Sequence, residues 1–280
     1  MKTTKLNETK LLDFKSHLEN EERSAATVEK YLRDVRRFVA FLKGAELDRG
    51  VIMEYKSSLC TSYAPRSTNS MLAALNCFLR FLGRHELCVR QLRVQREAYC
   101  SAERELTREE YIRLTEAAKR KNNERLNLII QTICSTGIRV SELKYITVES
   151  LERGEATVSC KGKSRRIFIL TRLRDKLRQY CKREGIAAGA VFVTRSGAPV
   201  SRNSIWRQMK SLCRDAGVAE GKVFPHNLRH LFARTFYGIE KDIAKLADIL
   251  GHASINTTRI YIVTTGEEHR RKMENMHLII

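Results

Sequence analysis

The sequence predicts a mainly α-helical protein with a small β-sheet, organised as two domains. The chain has 280 residues, which is long for one ordinary domain. Apolar residues recur at helical spacing over most of its length, and strand-like stretches occur only in the second half. We therefore expect an all-α first domain and an α-rich second domain that contains the sheet.

The first domain is predicted at residues 1–95 as a bundle of four helices. Ser24 is a small polar residue of the kind that caps helices, and Pro65 is suited to the first turn of one. Glycines end both of the long apolar periods. The helices are expected at residues 8–20, 24–44, 49–60 and 65–83. Four helices of this length make a small bundle.

The helical period is lost after residue 91, and we place a linker at residues 96–103 and the second domain at 104–280. The segment TREE, which begins at Thr107, has the pattern of a capping box and predicts the first helix of this domain. Strands are expected in EATVSC, RRIFIL and VFVT. Helices are expected at residues 107–120, 124–136, 139–146, 171–184, 201–216, 225–236, 240–250, 255–262 and 266–275.

The charge of the chain predicts a polyanionic partner. It has 52 Lys and Arg against 32 Asp and Glu, a net charge of +20, and its pI is near 9.9. Such an excess opposes compaction by self-repulsion, so nucleic acid is the first candidate partner and an acidic membrane surface the second. The basic residues are spread through both halves, which favours a protein that wraps a DNA duplex over one with a basic tail.

Localisation and redox state follow from composition. No apolar run approaches the roughly 20 residues that span a bilayer, and the first residues, MKTTKLNETKLLDFK, lack the apolar core of a signal peptide. The eight cysteines are scattered without a CxxC or Cys/His cluster. We therefore expect a cytoplasmic protein with reduced thiols, no metal site and no disulfide framework.

Four short segments contain the polar residues that are candidates for a catalytic site. On its own, each has an ordinary explanation as a surface ion pair, a hairpin turn, a helix cap or a core tyrosine. The segments are STGIRVSEL with Arg139 and Glu142, KGKSRR with Lys161 and Lys163, PHNLRH with His226 and Arg229, and ILGHASINTTRIY with His252 and Tyr261.

Together these residues suit the chemistry of a phosphodiester. A guanidinium donates paired, charge-assisted hydrogen bonds to phosphate oxygens. Histidine exchanges protons near neutral pH, and a lysine beside arginines can give its proton to a leaving oxygen. A phenolate stabilised by positive charge is a good nucleophile. The set predicts attack on a phosphodiester without a metal or another cofactor, because the arginines neutralise the developing charge.

The order and spacing of TGIRVSEL, the lysine of a β-turn, HNLRHLFA and LGHASINTTRIY resemble those of the tyrosine recombinase (phage integrase) family. The segment SAATVEKYLRDVRRF is similar to the family's core-binding domain, so the resemblance covers nearly the whole chain. It implies a two-domain DNA clamp with an all-α core-binding bundle and an α-rich catalytic domain. It also implies site-specific DNA strand exchange. In length and layout the chain resembles Xer-type enzymes.

The resemblance implies roles for the reacting groups. Tyr261 would attack the scissile phosphate and form a 3′-phosphotyrosyl bond, leaving a free 5′-hydroxyl. His226 would help to accept the tyrosine proton. Lys161 would be the general acid for the departing 5′-oxygen, and we prefer it to Lys163 because it leads the KG pair.

The resemblance also implies roles for the phosphate-binding groups. Arg139 and Arg229 would hold the phosphate, His252 would hydrogen-bond to it, and Glu142 would orient the site. Two positions depart from the family pattern: Asn227 where an acidic residue is frequent, and Cys160 where glycine is common. The position of Asn227 is not expected to be catalytic, whereas Cys160 and the two lysines that follow it leave open which lysine is the general acid.

Double-stranded DNA is the implied partner, bound by a homotetramer that holds two duplexes. An accessory directionality factor is a further candidate partner, and none is expected in a membrane. The C-terminal segment EEHRRKMENMHLII is expected to exchange between subunits, and docking onto its own domain is the alternative. The expected setting is the bacterial cytoplasm, at the nucleoid. The basic residues expected to contact DNA are Lys30, Arg33, Arg36, Arg37, Arg66, Lys163 and Arg165.

Two alternatives remain at this point. A type IB topoisomerase shares the Arg, Lys, His and Tyr chemistry but only nicks and reseals DNA. A DNA-binding regulator would retain the fold without the chemistry. The histidine in HNLRH and the Xer-like bundle argue against the topoisomerase, and the complete set of site residues argues against the regulator. The target sequence depends on which side chains enter the DNA grooves, and the sequence does not reveal it.

Overall fold

The computed structural model describes residues 8–94, 104–160, 163–261, 270 and 273–276. Within these residues the chain divides into two compact units, at residues 1–96 and 97–280. Both are built almost entirely from helices, and the described strands form a single two-stranded sheet. The predicted fold class, mainly α with a small sheet, is confirmed.

The first unit contains the four predicted helices. The side chain of Ser24 accepts a hydrogen bond from the Thr27 amide at the start of the second helix, and Pro65 occupies the first turn of the fourth. The helices are α1 (Glu8–Asn20), α2 (Ala25–Leu42), α3 (Arg49–Ser62) and α4 (Pro65–Phe81), followed by a short 3₁₀ turn at His85–Leu87. Their apolar faces bury Phe14, Phe38, Ile52, Leu72 and Phe78.

Two asparagines of α4 fix the chain where it leaves this unit. The amide of Asn76 donates to the Val89 carbonyl over 2.8 Å, and its oxygen accepts from the Val89 amide over 2.9 Å. Asn69 makes the same pair of bonds with Leu92, over 2.9 and 2.7 Å. The backbone that follows α4 is thereby satisfied without a strand.

The second unit is larger and contains the sheet. Its elements are α5 (Arg108–Arg120), α6 (Glu124–Thr136), a 3₁₀ helix at Val140–Tyr145, α7 (Val148–Arg153), β1 (Glu155–Cys160), β2 (Lys163–Phe168), α8 (Thr171–Glu184), α9 (Arg202–Lys210), α10 (Cys213–Ala216), a 3₁₀ turn at Glu220–Lys222, α11 (Pro225–Glu240), α12 (Ile243–Leu250) and α13 (Ile255–Arg259). The predicted capping box at Thr107 is present, with Glu110 as its second member.

The two strands form an antiparallel hairpin whose register decides which side chains face the core. Val158 is opposite Arg165, and Ala156 is opposite Ile167. Opposite residues project from the same face of a sheet. Because Ala156, Val158 and Ile167 are buried, Arg165 lies on the inner face, whereas Arg166 projects outward and is exposed.

Several predicted elements differ from the structure. The predicted strand VFVT is wrong: residues 191–194 fill the core with Val191 and Phe192 but pair only through the isolated bridge from Val193 to Pro199. An apolar run can be buried without a ladder partner, and its composition does not reveal this. The helix expected at 201–216 is divided into α9 and α10, and α7 was not predicted.

The C-terminal predictions fall largely outside the described residues. Most of the helix expected at 266–275 and of the segment EEHRRKMENMHLII cannot be compared with the structure. Within the described ranges, every helix is too short or too polar to cross a bilayer. The cysteines at positions 60, 77, 88, 134, 181 and 213 are free thiols.

The packing of α8 yields a stability prediction. Leu177 is fully buried in the core of the second unit, whereas Leu170, just before the same helix, is 58% exposed. We expect Leu177→Ala to lower the free energy of unfolding by about 2–5 kcal/mol, because it leaves a cavity. The matched control Leu170→Ala should change it by less than about 0.5 kcal/mol. Urea titration followed by fluorescence of the single tryptophan, Trp206, reports this unit. Equal losses in the two variants would contradict the described core.

Candidate active site

Tyr261 combines a buried ring with a polar contact at its hydroxyl. It follows α13, and its backbone amide donates to the Thr258 carbonyl over 2.9 Å. The residue is 6% exposed and packs with Ala233, Leu246 and Leu250. Its hydroxyl lies 3.2 Å from Nε2 of His226. The tyrosine is therefore a core residue whose reactive atom faces a proton acceptor.

Helix α11 presents three polar side chains to this tyrosine. Pro225 occupies the first turn, so the helix begins directly before His226. Arg229 and His230 follow at three and four residues, which places all three on one helical face. The two residues of the HxxR motif read from the sequence thus lie on the same face of one helix.

Arg229 is 1% exposed and joins the ends of two other helices. One terminal nitrogen donates to the Gly137 carbonyl over 2.6 Å, at the end of α6. The other donates to the Leu250 carbonyl over 2.7 Å, at the end of α12, and lies 2.9 Å from Nε2 of His252. Carbonyls at helix C-termini lack intrahelical partners, so a cation is favourable there. Burial, together with the charge of Arg139, lowers the Arg229 pKa to about 10, and the group stays charged at neutral pH.

Glycines end α6 and α12 at the two contacts with Arg229. Gly137 has a φ of +66°, and a Cβ there would lie 2.5 Å from the ring of Phe232. Gly251 has a φ of +63°, and a Cβ there would lie 2.6 Å from Cδ of Arg165. Only glycine combines the left-handed backbone with such close neighbours.

Glu142 is shared by two arginines. Its Oε1 accepts from Arg139 over 2.8 Å, and its Oε2 accepts from Arg165 over 2.7 Å. Oε2 also accepts from the Arg139 backbone amide over 2.9 Å. Burial alone would raise the pKa of this carboxyl, but the hydrogen bonds from Arg165 and Arg139 outweigh it and lower the pKa below its usual value. Arg139 is thereby held in place while its side chain stays 36% exposed.

The histidines of the site are held in the neutral form. Burial, followed by the charges of Arg229 and Arg139, lowers the His252 pKa to about 4. The same causes, in the same order, lower the His226 pKa below its usual value of about 6.5. His252 is oriented by a contact of 2.9 Å between its Nδ1 and the hydroxyl of Thr258.

His230 and Thr258 were not among the predicted site residues. The His230 ring stacks on Tyr261, with 4.2 Å between ring centroids and 24° between planes. The sequence could have indicated His230, because it lies one helical turn after His226 in HNLRH. Thr258 gave no such signal, since its contact with His252 depends on the turn between α12 and α13.

The structure brings Arg139, His226, Arg229, His252 and Tyr261 together, with Glu142 behind Arg139. Lys161 lies outside the described residues, and only the backbone of Lys163 is described, so the choice between the two lysines is untested. Within the described part of the site, a buried arginine, a partly exposed arginine and three histidines with lowered pKa values surround one phenol.

The residues expected to contact DNA have different surroundings. Arg165 has a 12% exposed side chain and is paired with Glu142, because its place on the inner face of the hairpin directs it into the protein; its contact with DNA stays a prediction. Lys30 donates to Asp34 over 2.6 Å and to the Ser70 carbonyl over 3.0 Å, which ties α2 to α4. The remaining bundle residues, Arg33, Arg36, Arg37 and Arg66, are exposed.

Asn227 has a structural task. Its amide nitrogen donates to the Lys222 carbonyl over 2.7 Å and to the Arg104 carbonyl over 3.0 Å. A carboxylate has no hydrogen to donate, so an acidic residue could not make these two bonds. The asparagine fixes the segment at Arg104 against the start of α11.

The shared carboxylate yields a pH-dependent stability prediction. A lowered folded-state pKa means that Glu142 stabilises the fold above its unfolded pKa, about 4.3, and that this contribution is lost as the pH falls through the folded value. We expect Glu142→Gln to cost about 1–3 kcal/mol at pH 7 and progressively less below pH 4. Urea titrations at the two pH values measure it, with the exposed Glu116→Gln as control. An equal loss at both pH values would contradict the assignment.

Comparison with known proteins agrees with this geometry. The chain matches the phage integrase family over residues 104–268, and the N-terminal SAM-like domain of phage integrases over residues 11–86. Tyrosine recombinase XerA of Pyrococcus furiosus is 29% identical over 289 residues, covering 100% of this chain and 98% of the relative. Tyrosine recombinase XerC of Pelobacter propionicus is 30% identical over 276 residues, covering 89% and 88%.

A solved structure also has this fold. A lambda integrase tetramer bound to a Holliday junction superposes with a TM-score of 0.72 at 18% identity, covering 92% of this chain and 78% of that one. The Xer relatives include archaeal proteins, so the expected bacterial, nucleoid-associated setting has no support from them. The family match to the catalytic region alone spans more than half of the sequence, and the chain belongs to the phage integrase family of tyrosine recombinases.

Proposed function

We propose that this protein is a site-specific DNA recombinase that cleaves and rejoins DNA through a 3′-phosphotyrosyl intermediate. One observation carries the proposal: the Tyr261 hydroxyl lies 3.2 Å from Nε2 of His226, whose lowered pKa keeps it neutral. A neutral imidazole nitrogen at this distance can accept the phenolic proton. The Arg229 guanidinium lies 6.0 Å from the centre of the same ring.

The cleavage step exchanges one phosphodiester for another. The Tyr261 oxygen bonds to the scissile phosphorus as its proton passes to His226, and the bond from phosphorus to the 5′-oxygen breaks. The departing oxygen takes a proton from a general acid, for which Lys161 is our candidate. Rejoining reverses each transfer with the 5′-hydroxyl of a second strand. The bond energy is retained in the phosphotyrosine, so the exchange requires no ATP.

Arg139 is the group best suited to receive the phosphate first. Its side chain is 36% exposed, and its contact with the Gly251 carbonyl is long, at 3.3 Å. A phosphate oxygen would be a stronger acceptor than this carbonyl, because the bond would be charge-assisted on both sides. Glu142 holds the guanidinium in place during the exchange.

Arg229 and His252 would complete the phosphate site. Nε of Arg229 is buried and has no hydrogen-bond partner in the described part of the chain. Nε2 of His252 lies 2.9 Å from a terminal nitrogen of Arg229, so the two side chains lie side by side. A phosphate there would receive positive charge from Arg229, and a hydrogen bond from Nε2 of His252 once that nitrogen carries the imidazole proton and no longer accepts from Arg229. Such fixed donors stabilise the charge that develops in the transition state.

Duplex DNA is the proposed substrate. The net charge of +20 and the exposed arginines of the first unit, among them Arg33, Arg36 and Arg66, suit a phosphate backbone. We further propose a homotetramer on two recombination sites, supported by the similar lambda integrase tetramer on a Holliday junction. The exchange would integrate, excise, invert or resolve a DNA segment according to where its two sites lie.

The nucleophile assignment can be tested with a nicked suicide duplex from the DNA that flanks the gene. The wild-type protein should form a covalent adduct that migrates slowly in denaturing gels, and Tyr261→Phe should form none, because it lacks only the attacking oxygen. DNA binding should be unchanged in the variant. Adduct formation by Tyr261→Phe would overturn the assignment. Strand transfer to a second duplex separates a recombinase from an enzyme that only relaxes supercoils.

The pH dependence of cleavage tests the role of His226. Burial and then the charges of Arg229, Arg139 and Arg202 lower its pKa, so the proton-accepting form persists below pH 6.5. At subsaturating DNA, where the rate constant reports the free enzyme, the cleavage rate should fall to half of its plateau value only below pH 6.5. Arg202→Gln should move this decline to higher pH, since it removes one of the three charges. The control Arg207→Gln, on the same helix, should not. A decline already complete at pH 6.5 would contradict the assignment.

A further inference from the structure

The ring of His230 contacts both members of the proposed proton-transfer pair. It stacks on Tyr261 with 4.2 Å between centroids and 24° between planes. It also meets the His226 ring edge to face, with 4.9 Å between centroids and 85° between planes. His226 and Tyr261 in turn meet at 5.4 Å and 61°. The three rings therefore form one aromatic cluster, in which each ring contacts the other two.

The stacked geometry excludes His230 as a proton acceptor for Tyr261. An imidazole nitrogen accepts a hydrogen bond in the plane of its ring, whereas the tyrosine lies over the face of this one. The hydroxyl of Tyr261 instead reaches Nε2 of His226. Whatever His230 contributes is therefore a matter of placing the tyrosine.

The two partners of this stack are held with unequal firmness. His230 lies in the middle of α11, a 16-residue helix that Arg229 ties to the ends of α6 and α12. Tyr261 follows α13, which has only five residues. A long helix fixes a side chain better than the end of a single helical turn does. The His230 ring is thus the firm surface, and the tyrosine ring is the part that it orients.

The surroundings of His230 keep its ring uncharged where it stacks on Tyr261. Burial, then the charges of His226 and Arg229, lowers the His230 pKa to about 4. The imidazole therefore presents an uncharged aromatic face at neutral pH, and offset stacking of such faces at this distance is favourable. The ring of His252 also lies near the tyrosine, with 5.1 Å between centroids, but it is tilted by 38° and so does not stack on it.

We propose that His230 is a positioning residue for the cleavage step, whose ring face directs the Tyr261 phenol toward His226. The proposal rests on the proposed recombinase function. It predicts that a flat aromatic ring at position 230 is required and that a titratable nitrogen there is not.

The test compares His230→Ala and His230→Gln, which remove the ring, with His230→Phe, which keeps a flat face. Single-turnover cleavage of the nicked suicide duplex should slow by about a hundredfold in the first two, the usual effect of a misplaced reacting group. His230→Phe should recover most of the wild-type rate. The dissociation constant for DNA should stay unchanged in all three, because the residue does not bind phosphate. Ile239→Ala, an exposed position on the same helix, is the control for effects on α11.

A second measurement reports the stack without any chemistry. With ¹³C-labelled tyrosine, the ring protons of Tyr261, assigned by Tyr261→Phe, should carry an upfield ring-current shift that His230→Ala and His230→Gln lose and His230→Phe keeps. Unchanged cleavage in the ringless variants, or a folded His230→Phe that is as slow as they are, would overturn the inference alone. A wild-type protein that forms no adduct would overturn the proposed function and this inference with it.

Discussion

The buried guanidinium of Arg229 is the interaction on which the site depends. A buried charge is costly unless it is hydrogen-bonded, and here both terminal nitrogens donate to carbonyls at the ends of α6 and α12. Arg139 lies two residues after the first accepting carbonyl, that of Gly137, and His252 lies two residues after the second, that of Leu250. One side chain on α11 therefore fixes the spacing of three segments that are far apart in sequence. The proposed phosphate contacts and the fold of the second unit share these bonds.

The same cations also set the protonation of the histidines. Arg139 and Arg229 both contribute to lowering the pKa of His226 and of His252. Groups suited to bind a phosphate thus also keep a neutral proton acceptor beside the tyrosine. The strongly basic composition, which by itself suggests only a polyanionic partner, has this second effect because burial brings a few of its charges together.

Much of the fold could be predicted from the sequence, because helical periodicity and caps are local signals. The helices that start at Ser24, Pro65 and Thr107 begin where their capping residues indicate. The set of Arg139, His226, Arg229, His252 and Tyr261 could be predicted as well, since each lies in a segment with its own residue pattern. Their mutual distances could not, because they depend on how α6, α11 and α12 meet.

What the sequence did not reveal has physical causes. Arg165 was expected to contact DNA because it is basic and lies in the segment KGKSRR, and its pairing with Glu142 could not be predicted because the register of β1 with β2 sets its direction. His230 was overlooked because its role depends on a ring that is 31 residues away and that only α13 delivers. VFVT was expected to be a strand because it is apolar, but an apolar run can also be buried without a ladder partner.

The shared carboxylate of Glu142 has a consequence for how this protein can vary. Arg139, Arg165 and Glu142 hold one another, and the side chain of Arg165 occupies the space in front of Gly251. Changes at these four positions cannot contribute independently, because each alters the partners of the rest. An evolving lineage or a designed library would have to alter them jointly or leave them fixed.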